Sequence, residues 1–188
     1  MTVYIGARDL KDVPFGTHQF LVITYPSQTS ELIGSRGYIT QMLGPNVNGL
    51  VIGAHSANNL VVKMFEEADT NAAKEYFGAR EVKWYKSDYD TEIRLVKFKG
   101  SEFSLHGQRE IVRLVHIYIN NQQLDPIKYP TAGFGFNSNS WVQSVIEFAG
   151  GVIDGGGNMK GFDIYNKKRI PKTYFTPYCP EIPRVKIN

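Results

Sequence analysis

Phe134-Gly-Phe-Asn-Ser-Asn-Ser-Trp-Val-Gln-Ser-Val-Ile-Glu-Phe-Ala149 is the stretch on which the fold turns. Trp141, Val145 and Phe148 recur at i, i+4 and i+7, with Val142, Ile146 and Ala149 beside them. That spacing marks a helix buried over much of its circumference, and Gly150-Gly151 end it. Asn137-Ser-Asn-Ser140 stands where the helix begins. Asparagine and serine are favoured N-cap residues, so the four suit a cap. They also place the Ser138 hydroxyl at a helix N-terminus, where backbone N–H groups near Asn139 and Ser140 stabilise developing negative charge.

Working outward, Phe15-Gly-Thr-His-Gln-Phe-Leu-Val-Ile-Thr-Tyr25 alternates as a strand, with His18, Phe20 and Val22 on one face. A strand-borne imidazole and a hydroxyl at a helix start are the parts of a nucleophilic site, with Ser138 as nucleophile and His18 as general base. A serine hydroxyl stays protonated near neutral pH, so such a site depends heavily on its base. The bland alternative for His18 is a hydrogen-bonded core histidine. His55 ends a second strand, before Ser56-Ala-Asn-Asn59, where it either orients or replaces His18 or meets solvent.

Gly44-Pro-Asn-Val-Asn-Gly49 reads as a turn joining strands over 37–43 and 49–55. Residues 66–77 read as a short exposed helix closed by Gly78. Strands follow over 81–85 and 92–98. Residues 108–120 read as a helix through Ile111, Leu114, Val115 and Tyr118, though their β-branched content also suits a strand. From about residue 150 the chain is loop-rich, with strand-like pieces only at 162–165 and 173–175. A length of 188 residues favours one domain over 1–188.

Apolar residues at 42% and charged residues at 21% are ordinary for a globular chain, and 13% aromatics suit a sheet-rich core or a lined cleft. Lysines and arginines are scattered and the net charge is only +3, which argues against nucleic acid. No signal peptide or membrane span is legible, so the expected product is cytoplasmic when synthesised, with export by a signal-peptide-independent route left open. Cys179 is the lone cysteine and lies between prolines near the tail, away from any helix N-terminus, so it reads as incidental. His106 and His116 lack acidic partners at ligand spacing, and neither a metal nor another cofactor is expected. The glycine-rich run 150–161 has no Lys-Ser/Thr pair entering a helix, so it reads as a mobile loop by a cleft rather than a phosphate loop. Tyr174, Phe175 and Tyr178 either line that cleft or pack.

Gly16-Thr-His-Gln-Phe-Leu-Val-Ile23 is similar to the histidine strand of the circularly permuted papain-like amidases and peptidases, the NlpC-like proteins that include lecithin retinol acyltransferase relatives. Asn137-Ser-Asn-Ser-Trp-Val142 resembles their asparagine-cysteine-asparagine helix start, and the order, histidine first, agrees. The resemblance implies an α+β fold in which a small antiparallel sheet packs against the nucleophile helix. It also implies cleavage or transfer of acyl groups at amide or ester bonds. His18 and Ser138 would be catalytic, with Asn137, Asn139, Ser140 and His55 in support. Ser138 stands where the family has cysteine, so the resemblance admits either a serine hydrolase or a fold that has lost its activity. Substrates on this reading are peptides, peptidoglycan peptides or other acyl compounds. A bacterial effector with an immunity or secretion partner, an inactive binding module, and an accessory protein of a phage or secretion particle are the biological settings it suggests.

Overall fold

The computed structural model describes residues 1–10, 16–26, 40–78, 89–99, 105–130, 135–155, 159 and 168–178. Among these, seven strands form one antiparallel sheet: β1 (Thr2–Asp9), β2 (Thr17–Pro26), β3 (Gln41–Gly44), β4 (Val47–Ala57), β5 (Asn59–Met64), β6 (Glu92–Phe98) and β7 (Gly151–Ile153). They run β3-β4-β2-β1-β6-β7, with β5 also on β4. Three helices complete this α+β fold: α1 (Glu67–Phe77), α2 (Leu105–Leu124) and α3 (Ser138–Phe148), followed by a 3-10 turn at Lys172–Phe175.

Strand alternation divides the sheet into two faces. Ile5, Leu21, Ile23, Leu50 and Ile52 share a core with Trp141, Val142 and Val145 of α3 and Ile111, Leu114, Val115 and Tyr118 of α2. Their neighbours Phe20, Val22 and Val51 join a smaller core with Ala72 and Ala73 of α1. Helices therefore cover both faces, α1 on one and α2 with α3 on the other. The helix over 66–77, expected to be exposed, instead lies against the strands: α1 buries Asp69, Thr70, Ala72 and Ala73, because its small residues permit a close approach. Its end is as read, with Gly78 at φ 86° in the left-handed region that glycine enters without steric cost.

The long β4 has three partners, with β3 on Val47 to Gly49 at its start. Val47 to Gly53 pair with β2, while Ile52 to Ala57 pair with β5 on the opposite edge. Beyond Gly53, β2 and β4 part company. This leaves Thr17 to Gln19 of β2 paired with β1 on one edge and, among the described residues, without a strand on the other. The split end of the sheet is where the site forms.

Several sequence expectations need correction. Residues 173–175 form a 3-10 turn rather than a strand, with Tyr174 and Phe175 buried against Tyr118. Phe148 is only partly buried, its ring meeting Phe175 edge-on, whereas Trp141 and Val145 are fully buried. Strands β1, β5 and β7 add to those read from sequence. The strands expected over 81–85 and 162–165, the start of the one over 37–43, and Cys179 lie outside the described residues.

Trp141→Ala should cost about 3–5 kcal/mol, as for a fully buried large aromatic. Phe148→Ala should cost clearly less, because part of its ring already meets water. Urea unfolding of both variants checks this ordering.

Candidate functional site

Arg8 on β1 and His18 on β2 are direct cross-strand partners, so their side chains leave the sheet on the same face. His55 emerges from β4 on that face too, just past the split, and its ring centroid lies 4.5 Å from that of His18. Over them sits the first turn of α1. Its N-cap, Glu66, accepts from the backbone N–H groups of Ala68 and Asp69, which turns the Asp69 side chain down onto the sheet. A carboxylate there also lies in the favourable field of the helix N-terminus.

Asp69 is fully buried and its two oxygens play different parts. Oδ1 accepts from Arg8 Nε at 2.7 Å. Oδ2 lies 3.0 Å from His18 Nε2, which hydrogen-bonds it, and 3.1 Å from His55 Nε2. The His55 nitrogen faces the same oxygen at ion-pair distance without the alignment of a full hydrogen bond. Gly53 makes the convergence possible. A Cβ at that position would lie 2.5 Å from Asp69 Oδ2, 2.8 Å from His55 Nε2 and 3.1 Å from His18 Nε2.

Burial by itself would raise the Asp69 carboxyl, but His18, His55 and the Arg8 guanidinium outweigh it and hold the group well below the usual carboxylate range. Burial pushes the His18 imidazole below its ordinary value, against the opposing pull of the Asp69 charge and hydrogen bond. Arg8 and Asp69 form the ion pair of the cluster, with His18 hydrogen-bonded to the same carboxylate. Imidazole and carboxylate donors are also the groups that hold borderline metal ions, and His18, His55 and Asp69 present one ligand atom each, all within 4.8 Å of one another.

Ser138 lies at the start of α3, whose apolar residues pack on the sheet face opposite α1. Gln19, between His18 and Phe20, points to the α3 face, where its Oε1 accepts from Gln143 Nε2. Ser138 Oγ is almost fully buried and donates to Asn139 Oδ1 at 3.3 Å, with the Tyr129 hydroxyl adjacent. No hydrogen bond joins Ser138 to His18, so the expected nucleophile–base pair is not made. The elements themselves do adjoin. Asn139 Oδ1 accepts from Gln19 N at 2.9 Å and Asn139 Nδ2 donates to Thr17 O at 3.4 Å, filling the open edge of β2. Asn137 is the N-cap, its Oδ1 accepting from Ser140 N at 3.0 Å. That bond engages one of the two N–H groups expected to form an oxyanion hole. Ser140 Oγ turns back to Asn137 Oδ1 and to Gly135 O.

Of the residues singled out from sequence, the structure brings His18 and His55 together on one face of the sheet, and Asn137, Ser138, Asn139 and Ser140 together at the start of α3, against the open edge of β2. Sequence reading missed Arg8 and Asp69. The signals available were weak: alternation places Arg8 opposite Ala7 and Asp9 on β1, and Asp69 falls in the first turn of an amphipathic helix.

An imidazole held below its ordinary 6.5 stays unprotonated on acidification while the unfolded chain takes up a proton, so the His18 contribution is whole above that pH and is lost as pH falls below it. The depressed Asp69 contributes fully above the unfolded value of 3.8 and loses its contribution as pH falls through the folded one. Unfolding free energy should thus decline from about pH 6.5 downward and more steeply below about pH 4. A stability that is flat from pH 7 to pH 3 in urea titrations would contradict the arrangement. Compared with known proteins, the chain matches no family model, no curated protein and no solved structure.

Proposed function

We propose that the chain is a hydrolase of amide or ester bonds whose reactive centre is the His18–His55–Asp69 cluster with Arg8. The observation that carries this reading is the convergence of two imidazole nitrogens on one oxygen of a buried, ion-paired carboxylate. Such a set is what water activation calls for, since its groups take up a proton or hold a cation. His55, with its side chain 13% exposed, is the member nearest solvent. The overall reaction adds the oxygen of water to the acyl carbon and breaks the C–N or C–O bond. One proton of the water ends on the leaving nitrogen or oxygen, and the acid formed carries the other.

The permuted papain-like reading keeps partial support. The asparagine-rich helix start docks against the histidine strand through Asn139, in the order that family shows. Against a serine nucleophile stands the hydrogen bond of Ser138 Oγ to Asn139 rather than to His18. Peptidoglycan peptides and simple acyl esters remain the substrate classes that this resemblance favours. An effector setting with an immunity or secretion partner goes with the same reading. Among the described residues no helix is long and apolar enough to cross a membrane.

The second reading is a non-catalytic binding module or particle accessory protein. It is favoured by one observation: Ser138, at the position resembling the catalytic cysteine, is only 4% exposed and serves the local hydrogen-bond pattern.

Assays on peptidoglycan fragments and acyl esters separate these. On the hydrolase reading, His18→Gln and His55→Gln should each lower turnover by about 10²-fold or more, while Ser138→Ala keeps it, with folding checked by circular dichroism. Turnover abolished by Ser138→Ala would return the serine to the mechanism. Absence of turnover on every class would favour the binding module.

A further inference from the structure

We infer that His18 Nε2, His55 Nε2 and Asp69 Oδ2 form a binding site for one divalent first-row transition-metal ion of the zinc type. The inference rests on the hydrolase reading only for the ion's role in activating water; the site itself stands on geometry. Three observations bear on it independently. The first is the spacing. Two imidazole nitrogens lie 3.0 and 3.1 Å from one carboxylate oxygen, and all three atoms are within 4.8 Å of one another, so movements of a few tenths of an ångström would let them share an ion at about 2.0–2.2 Å.

The second is Gly53. The point that a side chain would occupy there is 2.5 to 3.1 Å from all three ligand atoms. Glycine at this position keeps the focus of the three donors free of carbon, in the middle of a strand where it otherwise weakens pairing and packing. The third is the His55 Nε2 atom, buried at the same focus 3.1 Å from Asp69 Oδ2 but without an aligned hydrogen bond among the described residues. A buried polar atom that is poorly satisfied is costly. A ligated ion would satisfy it in the tautomer that leaves Nε2 without a proton.

The surrounding groups fit the assignment. Arg8 holds Oδ1 at 2.7 Å, which fixes the carboxylate and leaves Oδ2 as a single ligand oxygen, the way outer-shell partners orient metal ligands. Two imidazoles with one carboxylate suit zinc, iron, cobalt or nickel in the divalent state better than calcium or magnesium, which favour all-oxygen sets. Three protein ligands leave a coordination position for water, as catalytic zinc sites do. His106 is outside this set, and His116 lies on α2 with its Nε2 against Asn120.

The test uses the full chain stripped with a chelator and titrated with Co²⁺, read by visible ligand-field absorption, and with Zn²⁺, read by equilibrium dialysis and thermal shift. Wild type should take up one equivalent of either ion and melt at a higher temperature with it. His55→Gln should weaken binding by at least about 100-fold, the upper end of the loss seen when a mere outer-shell partner is removed. Gly53→Ala, which keeps every ligand and fills the focus, should weaken it as well, and His116→Ala should bind as wild type. The site is refuted if wild type binds neither ion at micromolar concentration, or if both the His55→Gln and Gly53→Ala chains, shown to be folded, bind like wild type. It is also refuted if His116→Ala alone removes binding. Metal uptake without hydrolysis would overturn the hydrolase reading and leave the site standing. Hydrolysis that needs His18 in a protein that binds no metal would do the reverse.

Discussion

A carboxylate with no access to water must be paired, and Asp69 is the group that imposes this condition on the fold. An uncompensated buried charge costs several kcal/mol, so the first turn of α1 must rest where Arg8 can reach it. Arg8 is fixed by the β1–β2 register and His18 by the same pairing. One buried charge therefore ties together α1, β1, β2 and β4, the last through Gly53 and His55. The smaller core of Phe20, Val22, Val51, Ala72 and Ala73 continues the same contact along the helix, so that apolar burial and charge pairing agree on where α1 lies.

Stability alone is a weak reason for such a cluster, since well-packed apolar residues in place of a buried ion pair are often as stable or more so. The details also go beyond what a structural ion pair requires. Arg8 and Asp69 alone would neutralise each other. Two further imidazoles directed at the second oxygen, and a strand glycine that leaves space between them, add polar atoms to a buried place where one lacks an aligned hydrogen bond. Groups kept at a cost to packing are expected at functional sites.

Much of the fold was legible in local pattern. The α3 stripe of Trp141 and Val145 and the α2 stripe of Ile111, Leu114, Val115 and Tyr118 became core-facing helical surfaces, since a 3.6-residue period has few other uses. Strands β1 and β5 carried the same kind of signal in Val3, Ile5 and Ala7 and in Leu60 and Val62, but it was short and easily passed over. Phe148 shows the limit of periodicity, which gives the direction of a side chain and not how much of it a neighbour covers. The 3-10 turn at Lys172–Phe175 was hidden for a related reason: aromatic content marked burial of Tyr174 and Phe175 but not the backbone that achieves it. Asp69 was invisible because its importance is entirely long-range, set by a register and a helix placement that no local window contains.

The candidate site shows how adjacency of backbone differs from adjacency of side chains. Asn139 grips Thr17 and Gln19, the residues on either side of His18, so the helix start could scarcely lie nearer to the histidine strand. Yet successive residues of a strand face opposite ways. Gln19 meets α3 through Gln143, and His18 must then meet α1. Bringing His18 to the α3 face would require a shift of one residue in β2. That shift would also turn Phe20 and Val22 out of one core and Leu21 and Ile23 out of the other. Apolar burial on both faces of β2 thus fixes the direction of its one histidine, and with it which helix supplies the histidine's partner.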